Sequence, residues 1–135
     1  MTEAGAIRVM LVEDHAGFRG ILAGLVDREA DLEVVAQAGS LEVVAQAGSL
    51  EEARGQIASA GCNVAVLDMG LPDGVGSDLI AGLRETCPGS AVLILSASLD
   101  AANLARVKEA GADELMDKFG DPAEVVRTIR RLGAG

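Results

Sequence analysis

Residues 64–76 read VAVLDMGLPDGVG. The first four are too few for a helix and apolar at each position, so both faces are expected to be buried, as in a parallel sheet. The run stops at Asp68, and Leu71, Pro72, Asp73 and Gly74 follow with the residue types of a tight turn. Comparable runs occupy 7–12, ending before Glu13 and Asp14, and 91–95, ending before Ser96. A weaker run at 112–116 stops just short of Lys118. Between them lie stretches with the three-to-four residue spacing of a helix face: Phe18, Ile21, Leu22 and Leu25; Leu50, Ala53 and Ile57; Leu79, Ile80 and Leu83; Leu104 and Val107; Val125, Val126, Ile129 and Leu132. Parallel neighbours need crossover connections, so this alternation predicts an α/β domain whose sheet is covered on both faces. Ser49 with Glu52, and Asp121 with Pro122 and Glu124, read as helix starts. Gly61, Gly89, Gly111 and Gly133 read as helix stops.

The chain has 135 residues, half of them apolar, which suits one domain (1–135) with a proper core. Its 11 Lys plus Arg against 21 Asp plus Glu leave a net charge of −10, the wrong sign for gripping phosphate backbones unaided. Arg127, Arg130 and Arg131 are read as the polar face of the last helix, not a nucleic-acid patch. No apolar run approaches a membrane span, and the start lacks a signal peptide's pattern, so a cytoplasmic chain without membrane partners is expected. Two cysteines without a Cys-x-x-Cys pair, and a lone His15, do not support a zinc site or disulfide framework. Cys62 and Cys87 are expected as reduced, buried fillers toward the sheet pole opposite the acids, and His15 as a surface or packing residue.

One feature breaks the rhythm. Residues 32–40 read LEVVAQAGS, and 41–49 repeat them letter for letter. Identity this complete argues for a recent tandem duplication or a deliberate insertion, and one copy suffices to supply a strand leading into the second helix. Extending that helix backwards through the other copy would turn Leu41 and Val44 away from Leu50 and Ala53 and cost about 1 kcal/mol at Gly48. The fold is therefore expected to be perturbed between the first and second helices by a longer loop or an extra strand. The reading favours an altered sheet edge with association between chains, as a homodimer or strand-exchanged oligomer.

Open α/β sheets place ligand sites at the carboxyl ends of their strands. Glu13, Asp14, Asp68, Ser96 and Lys118, distant in sequence, all fall there. Taken singly, each has a bland reading as a solvated strand end, turn residue or exposed lysine. Their convergence at successive strand ends reverses it. Clustered carboxylates must share protons, lie apart or hold a cation, and all-oxygen ligation suits Mg²⁺ or Mn²⁺ better than zinc. A carboxylate beside such an ion can attack phosphorus while an ammonium and a hydroxyl take up the developing charge.

These residues resemble the receiver domains of two-component response regulators. The matching pieces are Glu13–Asp14, Asp68 with Gly70, Leu71, Pro72, Asp73, Gly74 and Gly76, then Ser96 with small Ala97, and Lys118. The start Glu13–Asp14–His15 and the residues after Asp68 look most like regulators with a LuxR-type helix-turn-helix output. The resemblance implies a doubly wound CheY-like fold with a five-stranded parallel sheet in the order 2-1-3-4-5. It implies that Asp68 accepts phosphate from a histidine kinase, with Mg²⁺ held by Glu13, Asp14, Asp68 and the Gly70 carbonyl. Lys118 would pair with the phosphoryl group, Ser96 would move in to touch it beside Ala97, and intrinsic hydrolysis would reset the switch. The domain is then a phosphoacceptor with Mg²⁺-dependent self-phosphorylation, not an enzyme in the ordinary sense. The last helices, around 100–132, would form a dimer or output surface, and 133–135 would begin a linker. Leu115 stands where the family often has an aromatic residue, and Phe119 where proline is common. An aspartyl phosphatase would want a second aspartate where Gly70 stands, and a cobalamin domain a different Asp–His spacing. The alternative that remains is a phosphorylation-independent pseudo-receiver.

Overall fold

The computed structural model describes residues 7–29 and 41–134. Strand β1 (Ile7–Val12) leads into helix α1 (Ala16–Glu29), and β2 (Leu41–Ala47) into α2 (Leu50–Ala60). Strand β3 (Val64–Asp68) is followed by two short strands, β4 (Gly70–Leu71) and β5 (Gly74–Val75), which pair antiparallel. A 3₁₀ turn (Gly76–Leu79) runs directly into α3 (Ile80–Thr86). Strand β6 (Ala91–Ser96), α4 (Ala101–Ala110), β7 (Glu114–Asp117) and α5 (Pro122–Ala134) complete the order.

The main sheet has the order β2-β1-β3-β6-β7, with each neighbouring pair parallel. Because alternate side chains of a strand face opposite sides, the central strands feed two cores. Met10, Val12, Ala65, Leu67, Val92 and Ile94 pack with α2, α3 and Val107 of α4. Val9, Leu11, Val64, Val66, Leu93 and Leu95 pack with α1 and α5. At the sheet edge the β1–β2 register slips between Val9 and Met10, so Val9 faces Val43 but Met10 faces Ala45. The slip is a bulge or local irregularity in β2, which among the described residues pairs with β1 alone.

The second copy of the repeat supplies β2, and its Ser49 hydroxyl accepts the Glu52 N–H at 3.1 Å to cap α2. A helix running back through this copy is thereby replaced by a strand. The first copy, with the expected extra strand or loop and any exchange between chains, lies outside the described residues. At the other helix start, the Asp121 carboxylate accepts the Ala123 N–H at 2.9 Å, with Pro122 in the first turn.

Several sequence expectations are corrected. Gly61 and Gly111 end their helices in left-handed conformations, but α3 stops at Thr86, before Gly89. Gly133 lies inside α5 instead of ending it. A Cβ at Gly133 would come within 2.4 Å of Ile7 Cγ2, which shows how closely the end of α5 lies on β1. Ile21 and Leu104 sit at core-like spacing yet are about half exposed, because the cores are already filled by Leu22, Val26 and Val107. The last strand is shifted to 114–117. Among the described residues, no helix is long and apolar enough to cross a membrane.

Candidate functional site

Each predicted site residue is delivered by the end of a strand. Glu13 and Asp14 follow β1, where the Glu13 N–H donates to the Ala47 carbonyl at 2.9 Å and the Arg19 side chain donates to the Glu13 carbonyl at 2.6 Å. The second repeat copy therefore buttresses the acidic pair. Asp68 closes β3, Ser96 closes β6, and Lys118 follows β7, its N–H on the Ser96 carbonyl at 2.9 Å.

Glu13 and Asp68 are both 3% exposed, whereas Asp14 reaches solvent. One carboxylate oxygen from each of Glu13, Asp14 and Asp68 lies within 4.8 Å of the others. The Lys118 ammonium stands 2.6 Å from Glu13 Oε1 and donates a hydrogen bond to Asp68 Oδ2 at 2.9 Å. Asp68 Oδ1 accepts the Gly70 N–H at 3.0 Å. Lys118 also lies over the Phe18 ring, 5.6 Å from its centroid.

Charge and burial are out of balance here. Glu13 Oε1 meets the Lys118 ammonium as a close ion pair, and among the described residues Glu13 Oε2 has no hydrogen-bond partner. Burial, reinforced by the Asp68 carboxylate and only partly opposed by Lys118, pushes the Glu13 carboxyl up to about 7. Burial pulls Lys118 downward, but the two carboxylates outweigh it and hold the ammonium above its ordinary value. One ammonium among three carboxylates leaves the cluster short of positive charge. A buried carboxylate oxygen without a donor, beside an exposed third carboxylate, fits a divalent hard cation, which takes oxygen ligands and keeps water.

The cluster opens into a cleft of about 500 Å³ lined by Asp14, Asp68, Ser96, Ala97, Ser98 and Lys118, among others. Ser96 is buried, and its hydroxyl donates to the Ser98 carbonyl at 2.6 Å instead of facing the carboxylates. Ala97 is exposed on the wall. The structure thus brings Glu13, Asp14, Asp68 and Lys118 together, with Gly70 beneath and Ser96 beside them, turned aside.

A family model described as the response regulator receiver domain matches residues 9–130. The chain belongs to the response regulator receiver family. This receiver is 34% identical over 129 residues to the DNA-binding transcriptional activator DevR/DosR of Mycobacterium tuberculosis, covering 96% of this chain and 55% of that protein. It is 30% identical over 129 residues to the transcriptional regulatory protein UhpA of Salmonella typhimurium, covering 96% of this chain and 60% of that protein. The receiver therefore spans less than two thirds of either regulator. Among solved structures it superposes with a TM-score of 0.78 and 26% identity on the signal receiver domain of the putative response regulator NarL from Mycobacterium tuberculosis, covering 97% of this chain and 98% of that one. A two-component response regulator of the LuxR family from Aurantimonas gives a TM-score of 0.80 at 28% identity, covering 96% of this chain and 86% of that one.

The structural roles of three quoted residues escaped the sequence reading. Asp73, quoted as a turn residue and as part of the receiver pattern, accepts the Leu50 and Glu51 N–H groups at 2.8 and 3.0 Å, tying the loop after Asp68 to the start of α2. Those bonds hold its carboxyl below the usual range, the Leu50 bond most of all. Gly76 leaves no room for a side chain, since a Cβ there would fall 2.1 Å from the Asp68 carbonyl oxygen. His15 lines the cleft and caps α1, its Nδ1 accepting the Phe18 N–H at 3.0 Å. An x-Pro-x-Gly-type turn signals a bend but not its partner 23 residues back. Of the two departures from the family pattern, Leu115 packs on the core under α2–α4, and Phe119 is 77% exposed.

Proposed function

We propose that this receiver accepts a phosphoryl group on Asp68 from a histidine kinase and thereby switches an output or dimer surface. The observation that carries the reading is the Asp68 carboxylate, buried at the floor of an open cleft and held at both oxygens, by Gly70 and by Lys118. Such fixing presents one oxygen lone pair toward the cleft at little orientational cost. In the transfer, an Asp68 oxygen bonds to phosphorus as the phosphorus–nitrogen bond of the donor phosphohistidine breaks. Glu13, Asp14, Asp68 and the Gly70 carbonyl would hold Mg²⁺, with Mn²⁺ as a substitute. When bound, that ion neutralises phosphoryl oxygens and the surplus carboxylate charge.

Lys118 already touches Asp68, so a phosphoryl group there adds oxygens within reach of its ammonium. Ser96 has a second acceptor available only if its hydroxyl leaves the Ser98 carbonyl. Contacts that Ser96 and Ala97 make only with the phosphorylated site would supply the differential free energy of a switch. The intact acidic cluster argues against a phosphorylation-independent interaction module.

The test is incubation with Mg²⁺ and a small phosphodonor, followed by intact mass measurement. One base-labile gain of about 80 Da is expected, absent in Asp68→Asn and absent when a chelator is added. An equal gain in Asp68→Asn, or none in the unaltered chain, defeats the reading.

A further inference from the structure

Glu13 and Asp14 lie in the short link between β1 and α1, and the main chain there is held at two points. The Glu13 N–H donates to the Ala47 carbonyl of β2 at 2.9 Å, and the Glu13 carbonyl accepts a hydrogen bond from Arg19 Nη1 at 2.6 Å. That carbonyl belongs to the peptide joining Glu13 to Asp14, so the second bond fixes the step from one carboxylate to the next. Arg19 reaches back from the first turn of α1, where its own N–H donates to the His15 carbonyl at 2.9 Å. Its side chain is backed by Gly48: a Cβ there would come 3.1 Å from Arg19 Nη1 and 3.8 Å from the Asp14 Cα. Asp14 is exposed, so the main chain beneath it, more than packing, sets where its carboxylate can reach. A cation this near a helix N-terminus works against the helix dipole, and it repels a divalent ion among the neighbouring carboxylates. Charge alone therefore disfavours Arg19 at this place, and its bond to the Glu13 carbonyl is the compensating contact.

We infer that Arg19 is a positioning residue for divalent-cation binding. By holding the Glu13 carbonyl it keeps the Glu13 and Asp14 carboxylates within the 4.8 Å grouping they form with Asp68. The inference rests on the reading of those three acids as an Mg²⁺ or Mn²⁺ site. Groups that orient a ligand without touching the ion typically govern affinity by about 10- to 100-fold. Arg19 acts through the main chain and not through a ligand side chain, which places its effect at the lower end of that range. The sign separates positioning from charge. Removing a nearby positive charge would by itself tighten Mn²⁺ binding, whereas losing the brace on Glu13 weakens it.

The full chain is titrated with Mn²⁺, and the free ion is followed by its electron paramagnetic resonance signal. Arg19→Ala is expected to bind about tenfold more weakly than the unaltered chain. Arg19→Met, which keeps the aliphatic stem and its packing, should match it and serves if the alanine variant does not fold. Arg19→Lys, which keeps the charge and a donor, should fall between the two. With a small phosphodonor, the Mg²⁺ concentration for half-maximal phosphoryl uptake should rise about tenfold in Arg19→Met, with the parent's rate regained at saturating Mg²⁺. Unchanged or tighter Mn²⁺ binding in Arg19→Met overturns the inference, whatever happens to its urea midpoint. So does an unaltered chain that binds no Mn²⁺. A chain whose Mn²⁺ affinity depends on Arg19 as expected, yet which takes up no phosphoryl group, upholds this inference and defeats the phosphoacceptor reading instead.

Discussion

The two poles of the sheet pair their polar groups in different ways. At the amino pole, Arg84 donates to the Ser90 and Gly111 carbonyls and to Asp113, and Asp113 in turn accepts the Val92 N–H at 2.7 Å. The Arg8 N–H there is met by Asn63 Oδ1 at 2.8 Å. At the carboxyl pole, Glu13 and Asp68 are as deeply buried as the core and share one ammonium, that of Lys118. Burying a carboxylate without a full complement of partners costs more than leaving a neutral acceptor unmet. The contrast teaches that the amino pole closes the fold, whereas the carboxyl pole holds an unspent demand for positive charge.

The largest effect expected from this contrast lies in the pH dependence. Glu13 keeps its proton to about pH 7 when folded and to about 4.5 otherwise. Its contribution of up to about 3 kcal/mol is therefore fully present below pH 4.5 and drains away as pH rises through 7 in cation-free buffer. Urea titrations across that window should show the slope in the unaltered chain and a flat profile in Glu13→Gln. A slope that survives the substitution breaks the contrast. Asp113→Ala is expected to cost about 1–2 kcal/mol by stranding the Val92 N–H and removing one of the Arg84 acceptors. Phosphoryl uptake in that variant should match the parent in the mass assay, since the amino pole serves the fold. Ser49→Ala sharpens the comparison, because its hydroxyl is a satisfied group at the carboxyl pole. About 1 kcal/mol of destabilisation is expected there, with no change in pH slope. Arg131→Ala, whose 2.7 Å pair with Glu114 is well exposed, should shift the urea midpoint by less than about 0.5 kcal/mol equivalent.

How much of this could be read from the chain follows the range of the forces involved. Short apolar runs and their terminal residues are local signals, so the strand ends carrying Glu13, Asp14, Asp68, Ser96 and Lys118 were visible as a set. Hydroxyl orientation is not local in that sense: Ser96 turns to the Ser98 carbonyl because the loop beyond it folds back. Spacing alone placed Ile21 and Leu104 in the core, yet a helix needs only enough apolar contact to fill the space the sheet offers. Gly89 and Gly133 looked like helix stops, but an α3 ended by the backbone at Cys87 and an α5 pressed on Ile7 use those residues differently. The Asp73 cap joins segments that only the crossover connections bring together.

The missing side chain at Gly76 sets a limit on redesign. With the main-chain oxygen of Asp68 filling the space where a methyl would project, the backbone behind Asp68 has no tolerance for bulk at position 76. On the proposed function, shielding an acyl phosphate at Asp68 from water, and so lengthening its lifetime, would call for added bulk on the cleft lining instead. On that lining Ala97 offers an exposed methyl group from which a larger residue can grow without displacing the backbone at Asp68.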